Sequence, residues 1–460
     1  MSRTDAGHAG PSPPRAAVVG AGWAGLASAL TLARAGLTVE LFEAAPNAGG
    51  RARTISLATS LGRFDVDNGQ HLIVGAYRDS LALIDSLGAT PRLERVSLAL
   101  ESAAGLRLRA ARLPAPLHLA WALLTARGLG PGGRSAAFKA IRRLQQADWR
   151  VLPGETVAGL LARLDQPARL IERLWAPLCI GALNTLPGEA CAATFVTVLR
   201  DTLGGSRSAS DFMLADAPLG TLLPEPALAR LQALGARTHL RTSVRRLERA
   251  AGKGWLIPVE QTARRFDIVV LALPPWASAR LLTDSGLPCG RLSEFEAEPI
   301  ATGWALWPAD RSPALPRWQL LDEDPVRHHH GQWLFDRGFI DNGQARARLA
   351  GIVISLASRL GGLTSDVVAA GLADQLAAGP GCPPPAEIRV VTERRATFRC
   401  TPQRPRLRGD HLLETHPDLW LAGDWLWPDY PATLEAAVRS AAATADAILQ
   451  RYASCSSRRE

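Results

Sequence analysis

The sequence predicts an α/β protein whose parallel-sheet domain is discontinuous along the chain, interrupted by an inserted α+β region. Three observations predict it. A strand, a glycine-rich turn and a helix open the chain after residue 15. A second strand, turn and helix, "DLWLAGDWLWPDYPATLEAAVRSAAATADAIL" at 418–449, nearly close it. Between them, alternating apolar and polar runs read as strands of an antiparallel or mixed sheet. At 460 residues the chain exceeds one ordinary hydrophobic core, so two domains are expected.

The first element runs from the apolar strand Ala16–Val19 into Gly20-Ala21-Gly22-Trp23-Ala24-Gly25, a GxGxxG arrangement. Helix-spaced apolar residues follow at Leu26, Ala29, Leu30 and Ala33, and Gly36 ends the helix. The strand Thr38–Phe42 then delivers Glu43. Gly20 permits the tight turn, Gly22 lets the backbone approach a pyrophosphate, and Gly25 allows helix and strand to pack closely. The helix N–H groups and dipole hold phosphate charge, and Glu43 is placed to accept the hydroxyls of an adenosine ribose. This is a Rossmann-like dinucleotide site, and an acid there repels the 2′-phosphate of NADP. "NAGGRAR" next places Arg51 and Arg53 where a guanidinium can fork onto a pyrophosphate or ribityl chain. Nicotinamide enzymes do not usually carry that clamp, so FAD is the expected cofactor.

A cofactor of that length explains the late element. Its flavin half needs a strand, turn and helix of its own, and the returning chain supplies them. Asp424, after Gly423, is placed to bond the ribityl hydroxyls. The helix starting near Thr433 and Leu434 would aim N–H groups and positive dipole at the flavin C2 carbonyl, where negative charge gathers on reduction.

The pairing of "GAGWAGLASAL…ELFEAAPNAGGRAR" with "LAGDW…PATLEAAVRS" resembles the amine oxidase and phytoene desaturase flavoproteins, whose FAD domain is of the GR2 type. "FDVDNGQHLIVGAYR" (64–78), "LIERLWAPLCIGALNT" (170–185), "GQWLFDRG" (331–338) and "ERRATFRCTPQRPRLR" (393–408) narrow the resemblance to the hydroxysqualene dehydroxylases. These are also called squalene-associated FAD-dependent desaturases, of bacterial hopanoid synthesis. Two departures stand out: Ala436 replaces a usual glycine, and Leu426–Tyr430 is bulkier than the family pattern. The resemblance implies reductive conversion of hydroxysqualene to squalene, a backbone contact from Val244 to the adenine, and His71 beside the flavin. Candidate proton donors are His71, Asp67, Asp336 and Tyr430. The electron donor is open, because no second GxGxxG appears for a nicotinamide. The same scaffold could instead desaturate a polyprenyl chain. An amine oxidase or a non-catalytic lipid carrier fits less well: the two lysines lie away from the expected flavin site, and Asp424 is retained.

The expected division gives 15–92, 220–285 and 410–452 to FAD, and 93–219 with 286–409 to the substrate. A disordered tail is expected at 1–14 and membrane-contacting helices within 115–149. Leu119, Leu123 and Leu124 are read as the membrane face of the first, while Lys139, Arg142 and Arg143 make the second a basic amphipathic helix. A single helix is read from Thr156 to Trp175. The net charge of +9 does not mark a nucleic-acid binder, since 50 of 52 basic residues are arginine, as codon bias produces. It suits an anionic membrane surface better. Six cysteines without pairing pattern fit a reducing compartment, and no metal site is expected. His328-His329-His330 reads as an exposed loop, while Trp304, Trp307 and Trp333 are candidates for the wall of an apolar tunnel. A cytoplasmic location follows, with peripheral attachment to the inner membrane as its extension.

Overall fold

A computed structural model describes residues 13–259 and 262–456. Residues 1–12 of the expected tail lie outside the described residues. The first sheet contains β1 (Arg15–Val19), β2 (Thr38–Phe42), β3 (Arg237–His239) and β4 (Ile268–Leu271), completed by the late strand Leu419–Leu421. All neighbours run parallel, in the order β3-β2-β1-β4 with the late strand beyond β4. Ala16–Val19 and Ile268–Leu271 are all buried, because both faces of the sheet are covered. Helix α1 (Trp23–Arg34) packs on one face. A three-stranded antiparallel sheet (248–249, 255–259, 262–266) joins the core on the other.

The second sheet is wholly antiparallel: β5 (Ala297–Pro308), β6 (Trp318–Leu320), β7 (Trp333–Asp341), β8 (Arg346–Ile354) and β9 (Glu387–Phe398), in the order β6-β7-β8-β5-β9. The three strings expected to alternate, "IATGWALW", "GQWLFDRG" and "AGIVISLAS", supply β5, β7 and β8. Helix α2 (Arg78–Ser86) follows the stretch containing His71, and α3 (Leu117–Thr125) and α4 (Gly133–Gln146) stack on one another. The late strand is β10, and the helix after it, α5 (Leu434–Ser456), lies against α1.

The helix read from Thr156 to Trp175 is two pieces. Val157–Arg163 is capped by Thr156, whose hydroxyl accepts the Gly159 N–H. Asp165 then takes a positive φ of 55° ahead of Pro167, and π-helical turns at Ile171–Trp175 lead into Ala176–Leu183. Proline before the second piece removes a helix donor and ends the first. The histidine tract also differs from expectation: His329 is buried and pairs with Asp374 at 2.7 Å. Trp304 and Trp307 are buried within the second sheet's cores, off the wall of the large apolar cavity that Trp333 lines.

Candidate active site

The nucleotide loop is built by contact. Gly20 has φ +102°, and a Cβ on it would stand 2.6 Å from the Ala272 carbonyl oxygen. On Gly25 a Cβ would stand 1.8 Å from the Gly20 carbonyl oxygen, so only glycine lets α1 start this close to the turn. Gly22 differs: its Cβ would meet nothing nearer than the Gly50 Cα at 3.9 Å. Helix α1, which includes Ala24, starts with no side-chain cap and no acid in its first turn. An uncapped helix N-terminus with room in front of it is a phosphate seat. Glu43 leaves the end of β2 and accepts the N–H groups of Ala21 (2.7 Å) and Ala45 (2.8 Å), which holds the carboxylate beside the loop. The segment carrying Val244 passes alongside, with Thr242 donating to the Glu43 carbonyl at 2.8 Å.

The two distant parts of the chain meet here. Arg51 reaches Asp424 at 2.7 Å and donates to the Ala396 carbonyl at 2.8 Å. Arg53 turns back to the Gly50 carbonyl (2.7 Å) and approaches Glu393. Gly423 donates its N–H to the Ser440 hydroxyl of α5, and a Cβ on it would strike the Trp425 indole. Thr433 caps α5 by accepting the Ala436 N–H at 3.1 Å; Ala436 itself is fully buried. A glycine cradle, a buried acid beside an arginine, the uncapped start of α1 and the cavity-lining start of α5 constitute a donor set that fits FAD.

Beside this cradle opens a cavity of about 510 Å³. Thr433, Leu434 and Tyr430 stand on its wall, as do His71 and Trp333. It extends to α3 and α4, where Leu119, Leu123 and Ile141 line it. His71 bonds the Gly69 carbonyl through Nδ1 at 2.7 Å. Burial holds its imidazole below the ordinary value against the opposing charge of Asp67. The ring is therefore neutral, its proton on Nδ1 and its Nε2 an acceptor.

Two candidate acids fall elsewhere. Asp67 is off the cavity wall, accepting the Leu219 N–H at 2.6 Å with Arg337 3.6 Å away. Burial raises its carboxyl, which places it behind His71 as an electrostatic neighbour. Asp336 is also off the wall, held by Arg348 at 2.6 Å and by the Gly338 N–H. Tyr77 was missed by sequence reasoning. It lines the cavity beside Tyr430, and its hydroxyl lies within reach of the Thr433 side chain. Its position at the end of "FDVDNGQHLIVGAY", next to His71, was the only available signal. No group of residues able to hold a metal occurs among the described residues.

The pattern of the flavin containing amine oxidoreductases matches residues 23–303. A hydroxysqualene dehydroxylase of Rhodopseudomonas palustris is 31% identical over 445 residues, covering 94% of this chain and 97% of the relative. The chain belongs to this family. A second member, from Sinorhizobium fredii, is 30% identical across 95% of this chain and 99% of its own. Among solved structures, an oxidoreductase from Methanosarcina mazei superposes with TM-score 0.68 at 14% identity, covering 94% of this chain and all of its own. Cyclohexylamine oxidase from Brevibacterium oxydans gives 0.67 at 18%, covering 96% and 99%. At those identities the likeness concerns the fold. The protein is thus an FAD-dependent oxidoreductase of the GR2 architecture, as the two glycine-led elements predict.

Proposed function

We propose that the protein converts hydroxysqualene to squalene, replacing the hydroxyl by hydride, as the names of its relatives describe. The cavity carries this reading: a long apolar chamber starts at Thr433 and Leu434 and continues to α3 and α4. Its volume lies within the range of small-molecule sites, and its aliphatic and aromatic lining suits a polyprenyl chain. Gly20, Gly22, Ala24, Gly25, Glu43 and Val244 would hold the adenine dinucleotide half of FAD. Arg51, Gly423, Asp424, Thr433 and Leu434 would hold the flavin half. Reduced FAD, when bound, supplies the hydride.

The chain's own residues do the rest. Trp333 and Phe335 of β7, with Leu178 opposite, exclude water from a carbon that must bear positive charge as its C–O bond opens. His71 lines the chamber, and its Nε2, an acceptor, can take a hydrogen bond from the substrate hydroxyl and fix its direction.

A lipid surface is the second part of the proposal. Leu117, Trp121 and Leu124 lie one turn apart on the outer side of α3, and Leu124 keeps 67% of its surface exposed. Phe138 of α4 is exposed and also lines the cavity, so the chamber opens at this patch. Exposed Arg134, Lys139, Arg142 and Arg143 flank it. An apolar spot ringed by cations suits an anionic bilayer, from which a water-insoluble substrate would enter. Among the described residues no helix is long and apolar enough to cross a membrane.

The test is an anaerobic single turnover. The flavin is reduced with dithionite, hydroxysqualene is added, and the extract is analysed by gas chromatography–mass spectrometry. Squalene formed as the oxidised flavin spectrum returns is expected. Reduced flavin that persists without squalene would overturn the reading.

A further inference from the structure

Three tyrosines occur in the chain, and two of them, Tyr77 and Tyr430, stand together on the wall of one cavity. Both phenols are buried, and Tyr77 lies close enough to disfavour a charge on Tyr430. Tyr77 ends the stretch that brings His71 to the chamber, and Tyr430 precedes the start of α5. What surrounds them is unusual for an apolar chamber. The Arg439 guanidinium lies 5.2 Å from the Tyr430 ring centroid. Glu435, fully buried, accepts the Arg439 Nε–H at 2.9 Å and the N–H groups of Asp79 (3.1 Å) and Ser80 (2.9 Å) at the start of α2. Asp79 shares the Arg439 Nε–H at 2.9 Å, and Asp201 approaches another guanidinium nitrogen at 3.7 Å. Arg404, itself buried, donates to the Tyr430 carbonyl at 3.1 Å and fixes the backbone that carries the phenol.

We infer that Tyr430 is the acid that protonates the departing hydroxyl, with Tyr77 as the second phenol gripping the same oxygen and the Arg439 cation facing the Tyr430 ring. The inference rests on the proposed dehydroxylation. The arrangement excludes the other candidates as direct donors. Asp67 and Asp336 are off the wall, and neutral His71 holds its proton on Nδ1, donating it to the Gly69 carbonyl. Burial raises both phenols, so each carries its proton near neutral pH and parts with it only against a developing partner such as the leaving oxygen.

The step balances as follows. As the C–O bond breaks, the Tyr430 O–H gives its proton to the leaving oxygen and water is released. Reduced FAD, when bound, would supply the hydride that this carbon requires. Tyr430 is left as a phenolate beside Arg439 and regains a proton from solvent once the product has gone. Arg439 favours a transient phenolate at Tyr430, working against the opposing charges of Asp201 and Glu435. The two aromatic faces can also shield the developing allylic cation. Glu435 is a positioning residue: it ties the start of α2, and so Tyr77, to the start of α5.

The experiment compares wild type, Y430F, Y77F and the conservative R439K, each loaded with FAD and checked for melting temperature and flavin content. Two readouts are taken: the anaerobic single-turnover rate in H2O and D2O, and equilibrium binding of hydroxysqualene against squalene. Y430F should lose about 100-fold in rate, the scale of one general acid, together with the solvent isotope effect. Y77F should lose the preference for the alcohol, with R439K intermediate in rate. Y430F and Y77F both within threefold of wild type in rate and preference would overturn the phenol pair while leaving the dehydroxylase reading intact. A wild type that neither turns over nor prefers the alcohol would overturn both. Should Y430F not fold, Y77F and R439K decide alone: unchanged preference in the first and unchanged rate in the second refute the proposal.

Discussion

Two glycines of one loop should fail in opposite ways when a methyl group is added. At Gly25 the added carbon would stand 1.8 Å from the Gly20 oxygen, against roughly 3.3 Å for the closest comfortable carbon–oxygen contact, so backbone must yield by about 1.5 Å. Both partners are main chain, and no rotamer change relieves the clash. Overpacking of that kind costs about 1–3 kcal/mol. Gly22 has φ −71° and ψ 178°, which alanine adopts freely, and space before it. G22A should therefore hold or raise the stability of the FAD-free protein, by up to about 1 kcal/mol through a less entropic unfolded chain. Its methyl group occupies the room the pyrophosphate requires. Loss of even one charge-assisted bond to phosphate, worth about 1.5–3 kcal/mol, weakens FAD binding by roughly 10-fold or more. The assay is differential scanning fluorimetry of FAD-free protein beside a flavin fluorescence titration. G25A should lower both quantities; G22A should lower affinity alone. A G22A protein that binds FAD as tightly as wild type would refute the assignment of this loop to the cofactor.

Replacing Glu435 with alanine strips a fully buried carboxylate from Arg439 and from two α2 N–H groups, and should cost about 3 kcal/mol, read as a lowered melting temperature. The triple change L117S/W121S/L124S should reduce partition onto anionic liposomes about 10-fold with the melting temperature unchanged; equal sedimentation would remove the membrane proposal. Leu119 and Leu123, lining the cavity instead, should affect turnover rather than partition. His118 lies below its ordinary value because of burial, so the folded state binds fewer protons than the unfolded chain under about pH 6.5. Its contribution to stability is present above that pH and lost as pH falls. H118Q should consequently show a smaller drop in melting temperature than wild type between pH 7.5 and 5.5; equal drops would exclude the effect.

The parts of this fold written locally were readable in advance. Gly20 and Gly25 each answer to a contact a few residues away or one strand across, so the spacing alone placed β1, α1 and β2. Apolar alternation likewise marked β5, β7 and β8. What escaped depends on phase and on partners. Helix α3 is apolar all round because one side faces the chamber and the other solvent, and no periodicity says which is which; Leu119 and Leu123 were assigned to the wrong side. Asp67 and Asp336 read as acids until Arg337 and Arg348 are seen beside them. Trp304 and Trp307 are buried in the second sheet's cores, and nothing in their neighbours' sequence distinguishes them from Trp333, which lines the cavity. Tyr77 offers no motif, since its partner Thr433 lies more than 300 residues further on.

β10 pairs with β4 in the first sheet, and Arg51 closes on Asp424, across hundreds of intervening residues. On a ribosome adding about 5–20 residues per second, the roughly 400 residues between Val19 and Leu419 take about 20–80 s to emerge. From the emergence of Leu271 until Leu419 follows, β4 has one edge bare, and over the whole interval α1 lacks the α5 surface that later covers it. The nascent protein therefore passes through a prolonged, cofactor-incompetent stage with sticky surfaces, one that trigger-type chaperones would need to shelter. Free FAD in the cell can consolidate the molecule only after synthesis has nearly finished, which makes flavin supply a determinant of yield rather than of early folding.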